Sequence, residues 1–265
     1  KALMLLPEID PIIFQIGPVA IRWYGLTWLA AFSTIYFLMD KYQGELNKEK
    51  LSDLMFYGLL GAIIGGRTGY VFFYSLDQFL ENPLSIFFVW EGGLSFHGGL
   101  LGVLISCYLL SKSWKVTFFW LMDRVAPFVA PGLGLVRIGN FLNSELLGRP
   151  TEVSWGVIFP SDPFALVRHP SQLYQAFGEG ILLFIYMLWI AKGTKPTMFV
   201  SGHFLFGYGV IRFITEFFRM PDQHIGFTLE IITRGQILSI PMIVIGLLLI
   251  YYSISRKNRT NGTVS

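Results

Sequence analysis

Charged residues are scarce in this sequence of 265 residues. Lysine, arginine, aspartate and glutamate together make up 14% of the chain, against about 25% in an ordinary soluble domain. Hydrophobic residues make up 53%, and the mean hydropathy is +0.56. This balance leaves too little charge to cover a soluble surface. The composition therefore argues against an ordinary soluble protein and predicts an integral membrane protein.

Cysteine and the common catalytic motifs are also lacking. Cys107 is the single cysteine, so no intramolecular disulfide can form, and its apolar surroundings favour a small buried side chain over a nucleophile. The sequence contains no GxSxG elbow and no P-loop. The histidines show no metal-binding spacing; they are His97, His169, His203 and His224. We therefore expect neither a metal nor another cofactor, and an enzyme of this sequence would take its nucleophile from a substrate.

Long apolar runs account for most of the chain. Crossing about 30 Å of hydrocarbon takes ~20 helical residues, and seven runs qualify. The fourth run contains Pro127 and Pro131 next to glycines, which predicts a kink or a break near residues 131–134. The expected fold is all-α, with seven transmembrane helices in a single membrane-embedded domain over 1–265. The predicted spans are 19–40, 54–75, 94–111, 117–142, 172–191, 198–219 and 235–254.

The distribution of lysine and arginine predicts the orientation of these spans. The segments on one side hold ten basic residues; they are 41–53, 111–116, 192–197 and 255–265. The segments on the other side hold three; they are 1–18, 76–93, 143–171 and 220–233. Basic loops stay in the cytoplasm. The sequence therefore predicts an outward N-terminus, a cytoplasmic C-terminus and an odd number of crossings, with 76–93 and 143–171 as outer loops.

Seven arginines lie in or beside the predicted spans, where a charge at the bilayer centre costs about 2.5–3.5 kcal/mol. Four of them are explained by snorkelling or by pairing with a nearby acid; they are Arg22, Arg124, Arg219 and Arg234. Arg137 has no acid within seven residues. Arg212 has Glu216 at i+4, so a structural ion pair is its alternative. For Arg67, in GAIIGGRTGYVFFY, a functional and a structural role stay equally open.

The chemistry of arginine narrows the ligand. Its guanidinium group stays charged and presents a planar fork that suits phosphate or carboxylate. In a bilayer the most abundant anions are phospholipid headgroups, which indicates a lipid substrate or a structural lipid. His97, in SFHGGLLG, is either a general base or a structural histidine. His169, in RHPSQLYQ, is expected to be a loop or cap residue.

The segment VRIGNFLNSELLG, residues 136–148, closely resembles the signature of the bacterial prolipoprotein diacylglyceryl transferases, which reads G-R-x-G-N-F-x-N-x-E-x-x-G. One position departs, because Val136 stands at the first glycine. The resemblance covers nearly the whole chain. It extends in the same order through IRWYGL (21–26), GGRTGYVFFY (65–74), GGLSFHGGLLG (92–102), RHPSQLYQ (168–175), GYGVIRFITEFFRMPD (207–222) and GQILSIP (235–241).

The resemblance implies an enzyme of the bacterial cytoplasmic membrane with its active site on the outer side. Such enzymes move the diacylglyceryl group of phosphatidylglycerol onto the lipobox cysteine of a preprolipoprotein, which forms a thioether and releases glycerol phosphate. This is the first step of lipoprotein maturation. The implied partners are phosphatidylglycerol, other membrane lipid and the signal peptide that carries the lipobox cysteine, and no nucleic acid. The absent nucleophile fits, because the attacking sulfur belongs to the protein substrate.

The resemblance also carries the family's site residues onto this chain. They are Tyr24, His97, Arg137, Asn140, Glu145, Gly148, Tyr208, Arg212 and Glu216. We expect Arg137 and Arg212 to bind the phosphate while Asn140 donates a hydrogen bond. His97 is the first candidate for the base, with Tyr24 or Tyr208 as alternatives. Glu145 and Glu216 are expected to orient arginines, and Arg67 is retained as a substrate-binding candidate.

Two other classes of protein would also bury arginines among seven spans. A transporter or channel more often shows internal repeats and paired broken helices, and the sequence shows neither. A seven-helix receptor would fit the topology, but nothing in the sequence indicates a cytoplasmic signalling surface. Transfer of a lipid group to a peptide would select the enzyme, and flux without a covalent product would select the transporter.

Overall fold

The computed structural model describes residues 4–17, 19–221 and 232–262, and these are mostly helical. The helices are α1 (Trp23–Tyr42), α2 (Lys48–Tyr74), α3 (Leu76–Glu81), α4 (Phe96–Ser113), α5 (Phe118–Leu142), α6 (Ser171–Gln175), α7 (Leu183–Ile190), α8 (Phe199–Thr215) and α9 (Arg234–Gly262). Short 3₁₀ turns cover Pro83–Phe87, Val89–Glu91 and Glu216–Phe218. A π-helical segment, Ala176–Leu182, joins α6 to α7.

Each predicted span coincides with one of the long helices or with the continuous run from α6 to α7. Three of these segments are long and apolar enough to cross a membrane, by length and composition; they are Phe118–Leu142, Ser171–Ile190 and Arg234–Lys257. The other four predicted spans lie on α1, α2, α4 and α8, and their crossing of a membrane stays a prediction. The fold is therefore that of a helical membrane protein.

The chain divides into two compact units. The first comprises Lys1–Ile13, Ile21–Ile35 and Asp123–Ser265. The second comprises Phe14–Ala20 and Tyr36–Met122. The first unit contains the signature segment 136–148 together with α8 and α9, and the second contains α2 and α4.

In the first unit, α8 packs along α9 and also contacts the π-helical segment and α7. Small residues let the backbones approach: a Cβ atom at Gly209 would lie 2.8 Å from a side-chain carbon of Ile243. Buried apolar residues fill the space between α5, α7 and α8; they are Ala126, Ala130, Leu183, Met187 and Val200. Close packing of this kind fixes the positions of polar groups on the same helices.

In the second unit, α2 packs along α4 through facing glycines. A Cβ atom at Gly61 would lie 2.5 Å from the carbonyl oxygen of Gly102, and one at Gly69 would lie 3.0 Å from the Cα atom of Gly98. The backbones of the two helices therefore touch, as small residues at helix interfaces in membranes allow.

The two prolines of α5 do not break it. The helix runs from Phe118 to Leu142 with Pro127 and Pro131 inside it. Of the two outcomes predicted near residues 131–134, the break therefore does not occur, and the kink stays a prediction. Packing explains the difference. A Cβ atom at Gly132 would lie 3.0 Å from a side-chain carbon of Ile35, so neighbouring residues hold the helix together across the prolines.

Short strands occur where the sequence analysis predicted only helices and loops. Most lie in connecting segments, but residues 19–22, the start of the predicted span 19–40, also form a strand, and α1 begins only at Trp23. The strands β1 (Met4–Leu5), β4 (Val157–Ile158) and β5 (Val167–Arg168) form a three-stranded sheet. In it β4 pairs parallel to β1 and antiparallel to β5. The strands β2 (Ile12–Ile16) and β3 (Val19–Arg22) form a second, two-stranded sheet. Pairing gives the backbone groups of these connecting segments the hydrogen bonds that helices give elsewhere.

Candidate functional site

A buried carboxylate joins the two arginines that the sequence analysis singled out. Glu179 has a fully buried side chain, 0% exposed. Its Oε2 atom accepts a hydrogen bond from Nε of Arg137 at 2.9 Å. Its Oε1 atom accepts one from Nη1 of Arg212 at 3.5 Å. The side chains of Arg137 and Arg212 are 16% and 11% exposed, so this three-residue cluster lies in a largely dry environment, where such pairs are strongest.

The π-helical segment positions Glu179 between α5 and α8. On one side, a Cβ atom at Gly180 would lie 2.8 Å from the Cα atom of Gly134, so the segment touches the backbone of α5. On the other side, a Cβ atom at Gly178 would lie 2.7 Å from a side-chain carbon of Ile211 in α8. Side chains larger than hydrogen at these glycines would push the segment away from both helices. Local π turns often occur at functional sites.

A second carboxylate, one helical turn after Arg212, also forms an ion pair with it. Nη2 of Arg212 lies 2.9 Å from Oε2 of Glu216, the i+4 pair expected from the sequence. Nη1 of Arg219 lies 3.8 Å from Oε1 of the same carboxylate. Glu216 is 3% exposed. A Cβ atom at Gly235 would lie 2.5 Å from its carboxylate, at the first turn of α9, where a negative charge is favoured.

Tyr208 belongs to the same cluster. It lies on α8, one turn before Arg212, and it is close enough to Arg137 to interact with it electrostatically. It also interacts electrostatically with Glu179 and Arg212. The structure therefore brings together four residues named from the sequence; they are Arg137, Tyr208, Arg212 and Glu216.

The asparagines of the signature segment are held by its glutamate. Glu145 accepts hydrogen bonds from Asn140 Nδ2 at 3.1 Å and from Asn143 Nδ2 at 3.2 Å. The backbone carbonyl of Glu145 in turn accepts a hydrogen bond from the buried side-chain amide of Gln172 at 2.5 Å. We expected Glu145 to orient an arginine; in the part of the chain described, it orients the two asparagines instead. Asn140 itself is 4% exposed.

Gly148 lies where the backbone is too crowded for a side chain. A Cβ atom there would collide with the carbonyl oxygen of His169. Gly148 forms an isolated bridge with Arg219, and its carbonyl accepts a hydrogen bond from Nη1 of Arg168 at 3.1 Å. The nearby amide of Arg149 donates to the carbonyl of Phe218 at 2.9 Å. The glycine therefore lets the signature segment pack against the end of α8.

Arg168 and Asp162 fix the segment that covers Gly148. Nε and Nη2 of Arg168 donate to the two oxygens of Asp162 at 2.8 and 2.9 Å, a bidentate pair. Both side chains are nearly fully buried. These hydrogen bonds from Arg168 hold the pKa of the Asp162 carboxyl below its usual value. Burial alone lowers the pKa of the neighbouring His169, because the charged imidazolium loses water.

Tyr24 lies in the first turn of α1, the helix that packs against the signature segment. A Cβ atom at Gly139 would lie 2.5 Å from Oγ1 of Thr27, and that hydroxyl donates to the backbone carbonyl of Tyr24 at 2.8 Å. Because Gly139 has no side chain, the first turn of α1 can pack directly against α5. The Tyr24 ring packs edge to face against Trp28, with centroids 6.4 Å apart.

Arg67 and His97 lie in the second unit. Arg67 is 7% exposed and donates from its Nε atom to the carbonyl of Ile86 at 3.2 Å. Its Nη atoms donate to the carbonyls of Ser85, Gly92 and Gly93. Arg67 therefore anchors the loop before α4, which favours its structural alternative. His97 is exposed on the first turn of α4, with its ring edge to face against Phe96.

The sequence analysis missed Glu179. A signal for it was present: Glu179 is the one acidic or basic side chain among the aspartate, glutamate, lysine, arginine and histidine residues of the predicted span 172–191, and an isolated acid in an apolar span needs a partner. Glu179 also lies 42 residues from Arg137 along the chain, so no local sequence pattern indicates that the two residues pair.

The donor groups of this cluster are of the kind that suits an anion. The described residues contain no group of three histidine, cysteine, aspartate or glutamate side chains able to hold a metal ion. The buried polar atoms Gln172 Oε1 and Gln175 Nε2, on the helix leading to Glu179, have no hydrogen-bond partner in the same part of the chain. Buried guanidinium groups and amides together suit a phosphate ester with hydroxyl groups. The fold and this cluster define a membrane protein with a buried cluster of arginine and glutamate side chains.

Comparison with known proteins narrows that class to one family. The family model described as prolipoprotein diacylglyceryl transferase matches residues 11–252. Three relatives are named phosphatidylglycerol–prolipoprotein diacylglyceryl transferase. The protein of Acinetobacter baylyi is 49% identical over 95% of this chain and 94% of its own length. That of Pseudoalteromonas atlantica is 51% identical over 95% and 91%, and that of Pseudomonas syringae is 50% identical over 94% and 95%.

The chain belongs to the prolipoprotein diacylglyceryl transferase family. It is therefore a transferase enzyme, and the resemblance seen in the sequence is confirmed. The match from residue 11 to residue 252 covers most of the first unit, all of the second unit and every residue of the site described above.

Proposed function

We propose that this chain transfers the diacylglyceryl group of phosphatidylglycerol to the lipobox cysteine of a preprolipoprotein, the first step of lipoprotein maturation. The cysteine thiol loses its proton to a base. The thiolate then attacks the glyceryl carbon that is bonded to a phosphate oxygen, and the carbon–sulfur bond forms as the carbon–oxygen bond breaks. The leaving oxygen keeps the electron pair, so glycerol phosphate departs. No cofactor takes part.

The observation that carries this proposal is the pairing of Arg137 and Arg212 through Glu179. The leaving phosphate gains negative charge as the carbon–oxygen bond breaks, and guanidinium groups already held in place stabilise that charge without reorganising. The relatives whose names include phosphatidylglycerol and prolipoprotein align over this whole region. Both findings support a phospholipid ester as the ligand of the cluster.

The remaining site residues receive roles in this proposal. Asn140 donates to a phosphate oxygen, with Glu145 and Gly148 fixing its surroundings. Tyr208 and Glu216 orient the two arginines. His97 takes the proton of the thiol, because its imidazole group suits general-base work near neutral pH. Tyr24 and Tyr208 are the alternative bases, and Arg67 contributes by holding the loop before α4.

We further propose that residues 1–265 form a single seven-span domain of the bacterial inner membrane. The N-terminus faces outward, the C-terminus is cytoplasmic and the active site opens on the outer side. Support comes from the alternation of basic segments along the sequence. The signature segment spans the outer end of α5 in this orientation, where both a lipid headgroup and an exported cysteine can arrive.

A transfer assay tests the function. Purified chain in detergent is incubated with a lipobox peptide and phosphatidylglycerol, and the peptide is analysed by gel mobility and mass spectrometry. We expect a mass gain equal to one diacylglyceryl group, together with free glycerol phosphate. A matched peptide with serine in place of the lipobox cysteine is the control and should stay unmodified. An unmodified cysteine peptide, with lipid flux through vesicles that contain the chain, would favour the transporter instead.

A further inference from the structure

Glu179 has a role that neither the sequence motifs nor the family match assigns. It is the fully buried carboxylate between Arg137 and Arg212, and it sits on a π-helical segment held by close glycine contacts. We propose that Glu179 is a positioning residue, which aligns the two guanidinium groups for the departing phosphate and competes with that phosphate for them. This inference rests on the proposed function and deepens it.

The contacts show how one carboxylate fixes the positions of two guanidinium groups. Each oxygen of Glu179 meets one arginine, Oε2 meeting Nε of Arg137 and Oε1 meeting Nη1 of Arg212. Without this anion, two cations held side by side in a low-dielectric site would repel each other. With it, the distance between the two guanidinium groups is set by the width of a single carboxylate. That spacing suits a phosphate group, which presents its oxygens at a similar separation.

The two contacts differ in strength. The hydrogen bond to Arg137 is 2.9 Å long and that to Arg212 is 3.5 Å long. Arg212 is also held by Glu216 at 2.9 Å. A phosphate that arrives can therefore replace the weaker contact of Arg212 while Glu179 keeps Arg137 in place. The carboxylate thus orients the arginines for the reaction and also weakens binding of the anionic product.

Replacing Glu179 by glutamine separates the two effects, because glutamine keeps the shape and removes the charge. We expect kcat per folded enzyme to fall about 10- to 100-fold, since the arginines lose their alignment, while KM for phosphatidylglycerol does not rise. Binding of glycerol phosphate, measured by calorimetry in detergent, should become about threefold tighter or more, because the competing anion is gone. A residue that only supports the fold would weaken both measurements together.

Asp123 offers a matched control. Its carboxylate also lies inside the first unit, but it caps α8, accepting from the amides of Met198 at 2.7 Å and Ser201 at 2.8 Å. Asp123→Asn makes the same chemical change at a structural position. We expect this variant to lower the thermal midpoint while kcat per folded enzyme and the affinity for glycerol phosphate stay at the wild-type values.

A conservative variant allows the proposal to be tested even if Glu179→Gln does not fold. Glu179→Asp keeps the charge on a shorter side chain that cannot reach both arginines, so we expect it to fold and to show reduced kcat with unchanged affinity for glycerol phosphate. The positioning role is overturned if Glu179→Gln binds glycerol phosphate no more tightly than wild type, if its activity falls only with the amount of folded protein, or if Glu179→Asp transfers at the wild-type rate.

The same experiment keeps this inference distinct from the proposed function. A wild-type chain that transfers no diacylglyceryl group, but whose Glu179→Gln variant binds glycerol phosphate more tightly, would overturn the function and support the competition by Glu179. A wild-type chain that transfers normally, with a Glu179→Gln variant that matches it in both readouts, would overturn the role of Glu179 alone.

Discussion

At the scale of single residues, the site is a set of charges that neutralise one another inside an apolar protein. Glu179 and Glu216 are both buried, and Arg212 contacts both of them. Removing one partner of a buried pair leaves the other charge without compensation, which costs about 3–5 kcal/mol. Substitutions in this cluster therefore change stability as well as chemistry, and tests of function need the folded fraction as a reference.

The base can be tested at His97, which is exposed on the first turn of α4. A general base contributes about 10²- to 10⁴-fold to a rate. We expect His97→Ala to lower the transfer rate by at least about 100-fold and to change its pH profile. The rate is measured with saturating lipid as pH varies. An unchanged rate and pH profile would make His97 a structural residue and leave Tyr24 or Tyr208 as the base.

The ion pair of Asp162 and Arg168 predicts a pH dependence of stability. Arg168 lowers the pKa of Asp162 in the folded state, so the stabilisation is fully present above the ordinary carboxyl pKa. It is lost as pH falls through the lower folded-state value. Asp162→Asn should therefore cost about 3–5 kcal/mol at neutral pH, and its thermal midpoint should converge with that of wild type in acid.

The control for this prediction is Asp40→Asn, which removes an exposed carboxylate from α1. Its thermal midpoint should follow that of wild type at every pH. A constant difference between Asp162→Asn and wild type from neutral to strongly acidic pH would show that the pair contributes packing and not charge.

At the scale of elements, the helices could be predicted from the sequence and the π turn could not. Apolar runs of sufficient length determine where the spans lie, and each predicted span coincides with a helical segment. The π-helical segment Ala176–Leu182 instead depends on contacts of Gly178 and Gly180 with residues about 33 to 46 positions away along the chain. Pairings over such separations leave no periodic pattern in the sequence, and Glu179 was missed for the same reason.

The π turn predicts a clear effect of one methyl group. In Gly180→Ala the new Cβ atom would lie 2.8 Å from the Cα atom of Gly134, which forces the segment and Glu179 away from α5. We expect at least about a tenfold loss of kcat and a lower thermal midpoint. Activity and melting are measured on the same detergent preparation.

Gly58→Ala in α2 is the matched control, because a Cβ atom there would meet nothing within 4 Å. Alanine is favoured over glycine inside a helix by about 0.5–1 kcal/mol. The thermal midpoint should therefore rise slightly and the activity should not change. If Gly180→Ala behaved in the same way as Gly58→Ala, close contact between the π segment and α5 would not be required for the site.

At the scale of the whole molecule, composition and charge distribution determine the class of protein and predict its orientation. The scarcity of charge indicates a membrane protein, and three helical segments have the length and hydropathy to span one. The basic segments indicate which side each loop occupies. The division into two units is a property of packing over long separations, and no composition change along the chain marks it.

The proposed topology is tested with reporter fusions. Alkaline phosphatase is active only outside the cytoplasm, so we expect fusions in the outer segments 76–93 and 143–171 to be active. Fusions in 41–53 and 192–197 should be inactive, and green fluorescent protein fused after residue 265 should fluoresce. Active alkaline phosphatase in 192–197 would contradict the cytoplasmic placement of that segment. A fusion after residue 265 that does not fluoresce would contradict an odd number of crossings with an outward N-terminus.

The most direct measurement of the central claim is the transfer rate of Arg137→Lys. Lysine keeps the positive charge but loses the planar fork that meets Glu179 through Nε. With phosphatidylglycerol and a lipobox peptide, and with the folded fraction measured in parallel, the account predicts a fall in kcat of about 100-fold or more. Transfer by Arg137→Lys at close to the wild-type rate would contradict the claim that an aligned arginine pair stabilises the departing phosphate.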